Sequence, residues 1–96
     1  MIIQVITFET TLSEEQVLAT ARERADRFRA LPGLVQKYYV RLDRPNRFGG
    51  VYLWDSRESM DAYRQSDLAA TIAEAYGVVG RPEIQILETL FDLRED

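Results

Sequence analysis

The sequence contains no cysteine and no histidine. Those two absences remove disulfides, Cys/His zinc sites, thiolate nucleophiles, imidazole bases and a histidine axial ligand for haem. Any chemistry has to run on other groups. No hydrophobic run approaches the ~20 residues that span a bilayer. The opening Met1-Ile2-Ile3-Gln4-Val5-Ile6-Thr7-Phe8 also lacks the basic head and small-residue cleavage site of a secretion signal. A soluble, cytoplasmic protein with no membrane contact is expected. There is no excess of positive charge: 12 basic against 16 acidic residues leave a net charge of −4. That balance repels a phosphate backbone, so no nucleic-acid partner is expected. A glycine-rich strand-to-helix turn able to cradle a phosphate is missing, and the carboxylates are scattered along helix faces. Neither a nucleotide cofactor nor a metal is expected.

What is present reads as one unit over residues 1–96, of which 46% are hydrophobic, without repeats or a linker. Ile2 to Glu9 is β-branched and aromatic and apolar on both faces, the pattern of a central strand. Ser13 followed three residues later by Gln16, with Leu12 and Val17 as a hydrophobic staple, marks a helix start. Val17, Ala21, Ala25, Phe28 and Leu31 continue at helical spacing until Pro32-Gly33. Leu34–Asp43 and Phe48–Asp55 form a hairpin about Arg44-Pro45-Asn46-Arg47. Ser56 caps a short helix through Met60 and Tyr63, and a second helix carries Leu68, Ile72, Ala75 and Tyr76 to Gly77. After a Gly80-Arg81-Pro82 loop, Glu83–Leu93 is the last strand.

The order is βαββαβ: an α+β, ferredoxin-like fold in which an antiparallel four-stranded sheet carries its helices on one face. The other face holds Ile3, Val5, Val51, Leu53 and Leu87, too apolar to sit in water, so a homodimer with facing sheets is expected. If the hairpin centres on Pro45, Tyr38 lies opposite Tyr52, Gln36 opposite Trp54, and Val40 opposite Gly50. Tyr38, Tyr52, Gln36 and Trp54 then share the helix-facing side, and Lys37, Tyr39 and Arg41 point the other way. Gly50, with no side chain, leaves a gap that reads as a cavity or a bulge.

Leu31-Pro32-Gly33-Leu34 leading into the second strand, Gly49-Gly50-Val51-Tyr52-Leu53-Trp54 before a helix, and Ala62-Tyr63 within that helix carry a resemblance. The chain resembles the dimeric α+β barrel superfamily, and within it the small YdhR-like proteins, a family assigned to the monooxygenases. The likeness spans nearly the whole chain. It implies a dimeric α+β barrel, a pocket between sheet and helices, and a monooxygenase without metal, haem or flavin that acts on a small aromatic or polycyclic compound. In that reading the substrate is deprotonated and passes an electron to O₂, while the protein supplies a dry pocket and orientation. Trp54, Tyr52 and Tyr38 are the candidate catalytic residues; Gln36, Gly50, Met60 and Tyr63 are the candidate substrate contacts. Haem-degrading relatives use an Asn, Trp and His set, and this chain has no His. Polyketide-modifying relatives carry an Asn where this chain has Gly50. A superfamily of this kind also hosts other activities, so a ligand-binding or structural homodimer, and an isomerase or cyclase, stay open beside the oxygenase.

Overall fold

The computed structural model describes residues 1–94, and the last two positions of the expected 1–96 unit lie outside the described residues. The elements run β1 (Ile2–Thr10), α1 (Glu14–Arg29), β2 (Leu34–Arg41), β3 (Arg47–Trp54), α2 (Arg57–Arg64), α3 (Asp67–Ala70), α4 (Ile72–Ala75) and β4 (Val78–Glu88). The strands form one sheet in the order β2-β3-β1-β4, with every neighbouring pair antiparallel. This is the ferredoxin-like α+β fold. β1 is central because it is apolar on both sides. Ile2, Gln4, Ile6 and Phe8 are buried under the helices, and Ile3 and Val5 are half-buried on the far face.

Helix α1 begins where the sequence places it. The Ser13 hydroxyl accepts from the Gln16 amide at 3.2 Å, and the Gln16 side chain accepts from the Ser13 amide at 2.9 Å. Two of the helix's orphan donors are thereby satisfied. Val17, Ala21, Arg24 and Phe28 form its buried face. Beyond α1, Gly33 takes φ +80°, and a Cβ there would sit 2.1 Å from the Ser59 hydroxyl oxygen, so both conformation and space demand glycine.

Three expectations require correction. The helix expected to run through Leu68, Ile72 and Ala75 is two short helices. They part at Thr71, whose hydroxyl bonds back to the carbonyls of Asp67 and Leu68 and competes with the helical ladder. The last strand starts earlier and ends earlier than Glu83–Leu93. Thr7 pairs with Glu83 but Glu9 with Val79, so Gly80-Arg81-Pro82 is a bulge inside β4, opened by Gly80 at φ +72°. The chain leaves the sheet after Glu88, and Leu90, Phe91 and Leu93 are 94%, 76% and 84% exposed.

The third correction concerns the hairpin. The loop has an even number of residues, with Leu42 bonded to Arg47 and Asn46 at φ +64°, so its centre falls between Arg44 and Pro45. Tyr52 consequently faces Lys37, Gly50 faces Tyr39 and Tyr38 faces Val51. A bulge at Val35 then puts Leu34, and not Gln36, opposite Trp54. Lys37, Tyr39 and Arg41 therefore lie on the helix side of the sheet, and Gln36 and Tyr38 lie on the open side.

The core sits between the sheet and the helices. It is dominated by aromatic side chains: Phe8, Phe28, Phe48, Tyr52, Trp54, Tyr63 and Tyr76 are all buried. On the open face Ile3, Val5, Val51 and Leu53 are half-buried and Leu87 is exposed. Among the described residues no helix is long and apolar enough to cross a membrane.

Candidate functional site

A cavity of about 140 Å³ lies between the sheet and α1. Its floor is Ile6 and Phe8 of β1 with Phe48, Gly49, Gly50 and Tyr52 of β3, and its roof is Val17, Leu18 and Ala21 of α1. Ile72 and Tyr76 close one end, and Lys37, Tyr39, Val40 and Arg41 of β2 form the remaining wall, with Glu14 beside them. Gly50 is one reason the space exists: a Cβ there would stand 3.0 Å from the Tyr52 ring and 3.1 Å from the Lys37 Cε. The volume is close to the roughly 150 Å³ of an apolar cavity that admits benzene. That is room for about one aromatic ring.

The polar groups around this cavity are few and their states are unequal. The Lys37 Nζ lies 3.4 Å from the centre of the Phe28 ring, 4.4 Å from that of Tyr39 and 4.5 Å from that of Tyr52. Burial first, and the neighbouring Arg24 guanidinium second, pull the amine from 10.5 down to about 7. Tyr52 is pushed well above the ordinary phenol value, chiefly by burial and then by the Tyr63 hydroxyl beside it. Burial likewise raises Tyr63 and Tyr39 and takes Tyr76 up to about 12. These phenols remain protonated at neutral pH and offer hydrogen bonds rather than basicity. At the mouth, Arg41 holds Glu14 at 2.9 Å in an exposed ion pair.

Arg24 is the second unusual cation. It is buried, and its Nη2 donates to the Leu68 carbonyl at 2.8 Å and the Thr71 hydroxyl at 3.2 Å, while its Nε has no partner among the described residues. Its guanidinium stands 6.0 Å from the centre of the Phe28 ring. Neither Arg24 nor Lys37 takes part in an ion pair among the described residues.

Of the residues expected at the site, Tyr52 and Gly50 border the cavity. Trp54, Met60 and Tyr63 form the packing behind it. Trp54 is wholly buried; its indole Nε1 donates to the Gln4 Oε1 at 3.0 Å, and its ring stacks on Tyr52 at 6.3 Å with 5° between planes. Tyr63 lies 5.3 Å from the Trp54 ring, and its hydroxyl is 3.3 Å from that of Tyr52. Met60 fills the remaining space with no exposure. Tyr38 and Gln36 are not brought to this group. Tyr38 is 54% exposed opposite Val51, and the exposed Gln36 accepts from the Lys37 backbone amide at 3.0 Å. Lys37 and Tyr39 take the places expected for them. One signal could have singled out Lys37: it is the only lysine among the 12 basic residues.

This α+β fold is shared with several solved structures, a cofactor-independent oxygenase among them. The cofactor-independent oxygenase SnoaB of Streptomyces nogalater matches with TM-score 0.77 at 17% identity, covering 98% of this chain and 97% of that one. NE2512 of Nitrosomonas europaea, a protein of unknown function, matches with TM-score 0.78 at 17% identity, covering 99% and 94%. Rv0793 of Mycobacterium tuberculosis matches with TM-score 0.74 at 13% identity, covering 97% and 98%. At these identities the likeness is one of fold. No curated protein matches the sequence. The family model described as "Putative mono-oxygenase ydhR" matches residues 2–95. The chain belongs to that family.

Proposed function

We propose that the protein is a cofactor-independent monooxygenase that oxidises a small aromatic compound in the cavity between α1 and the sheet. The observation that carries the reading is the cavity itself, of about 140 Å³ with aromatic and aliphatic walls, in a chain of this family. An electron-rich phenol, hydroquinone or anthrone bound there loses a proton, and the resulting anion passes an electron to O₂. Recombination gives a peroxide that expels water, leaving one oxygen atom in the product. Tyr52 contacts the substrate from the floor with a protonated hydroxyl, and Gly50 supplies the space for its ring. Trp54, Met60 and Tyr63 act from behind, holding Tyr52 in place. Tyr38 and Gln36 stand apart from this cavity. The working unit is a homodimer, with the open sheet faces covering each other and the exposed Leu90, Phe91 and Leu93 reaching the partner.

A ligand-binding dimer without catalysis is the second reading. It is favoured by the complete burial of Trp54 and the use of its N–H on Gln4. Oxygen-electrode measurements with a panel of phenols, hydroquinones and anthrones separate the two. Oxygen uptake that is abolished by Gly50→Ala, a change that narrows the cavity between Tyr52 and Lys37, supports the oxygenase. Ligand binding that Gly50→Ala removes, with no uptake for any compound, supports the binder.

A further inference from the structure

We propose that Lys37 is the base of this cavity: its Nζ takes the proton of a phenolic or enolic hydroxyl, and the ammonium so formed holds the resulting anion. In this step the substrate O–H bond breaks, a fourth bond forms at nitrogen, and the electron pair of the O–H bond stays on oxygen. The assignment rests on the oxygenase reading for the later reaction of the anion with O₂, and not for the proton transfer itself.

Geometry isolates this amine. Lys37 lines the cavity through β2, and its Nζ is enclosed by Phe28, Tyr39 and Tyr52. Among the described residues no carboxylate pairs with it. The charged and titratable groups facing it are few. From α1 come the cation of Arg24 and, at the mouth, Glu14, already bound to Arg41. β2 and β3 add the phenols Tyr39 and Tyr52, Tyr76 closes the far end of the cavity, Tyr63 of α2 stands against the Tyr52 hydroxyl, and Arg29 of α1, paired with Asp26, lies near Tyr39. The phenols hold their protons more tightly than usual, and Arg24 gives up none. Loss of hydration, together with Arg24, leaves Lys37 near neutrality, where it is a competent base. Once protonated it keeps the aromatic faces around it and gains an anion in contact, so the product ion pair is stabilised beyond the free ammonium. The substrates selected are compounds whose hydroxyl becomes an oxyanion before reaction; a hydrocarbon ring without one gains nothing from Lys37.

Because Lys37 is the chain's only lysine, ¹³Cε-lysine labelling gives a single side-chain signal to titrate. A midpoint near 7 is expected, and a midpoint unchanged from free lysine overturns the proposal. The second measurement uses para-nitrophenol, whose anion is yellow, at a pH below its own pKa. Wild-type protein should bind it as the anion. Lys37→Met should bind it as the neutral phenol and about tenfold to a hundredfold more weakly, as for one lost charge-assisted hydrogen bond. Lys37→Arg should keep the bound probe anionic, since guanidinium supplies charge, but should abolish turnover because it accepts no proton. An equal anion fraction in wild type and Lys37→Met overturns the assignment even if oxygen is consumed. Anion binding that depends on Lys37 sustains it even if no compound is oxygenated, so the two readings fail separately.

Discussion

Trp54→Phe tests what the only tryptophan of this chain does. Its surroundings impose two costs. The indole N–H is the partner of the Oε1 of Gln4, a residue only 1% exposed, and leaving that carbonyl without a donor costs about 1–3 kcal/mol. The missing part of the ring leaves tens of Å³ unfilled between Tyr52 and Tyr63, worth about 1 kcal/mol at roughly 24 cal/mol per Å³. The sum is about 2–4 kcal/mol. Gln4→Met carries the first cost from the other side, stranding the indole N–H. In the double variant neither polar group remains and only the packing loss persists, so the two changes should couple by about 1–2 kcal/mol. Urea denaturation followed by far-ultraviolet circular dichroism is the assay, at one fixed protein concentration because an associating chain changes its midpoint with dilution. Additive losses, or a Trp54→Phe cost below about 1 kcal/mol, would refute the structural role and return Trp54 to the set of groups acting on substrate.

Three further outcomes are expected. Ser13→Ala should cost about 1 kcal/mol by removing one half of a formed capping box, with ligand binding unchanged, and an unaltered urea midpoint would count against it. In sedimentation the wild type should run at twice 11.1 kDa; Leu53→Asp, which puts a carboxylate in the middle of the open sheet face, should run as monomer or aggregate, and a wild-type monomer would sink the idea. Between about 7 and 10.5 the unfolded chain keeps a proton on Lys37 that the folded chain has lost. Stability should therefore rise with pH across that window. Lys37→Met should be more stable than wild type at neutral pH and below, with the difference fading toward pH 10.5, and a pH-independent difference in Tm would contradict the burial argument.

The elements legible in the sequence were those whose signals are local. Ser13 with Gln16, Ser56, and the Pro32-Gly33 stop depend on neighbours within a turn, and the two-sided apolar character of Ile2–Phe8 belongs to one strand. The register of β2 on β3 depends instead on a loop of even or odd length and on a bulge at Val35, and nothing in the composition of Arg44-Pro45-Asn46-Arg47 decides between them. That one-residue error moved Tyr38 and Gln36 to the wrong face and hid Lys37. Tyr52 and Gly50 were placed correctly because β3 is flanked by β1 on its other edge, where alternation alone sets the face. Pro82 in the expected loop proved compatible with a strand because it falls in a bulge, where no ladder hydrogen bond is required of it.

The bulge at Val35 has a consequence for how such a pocket diversifies. On its N-terminal side the even-numbered position Leu34 faces the helices, and on its C-terminal side the odd-numbered positions do. Were the irregularity to migrate past Arg41, Gln36 and Tyr38 would turn to the cavity in place of the amine of Lys37 and the phenol of Tyr39, and the Arg41 guanidinium would turn away from it. A cationic wall would become a neutral one with no side chain altered. Insertions and deletions around the hairpin, rather than substitutions in the strands, are thus a direct route by which chains of this fold could exchange one chemistry for another.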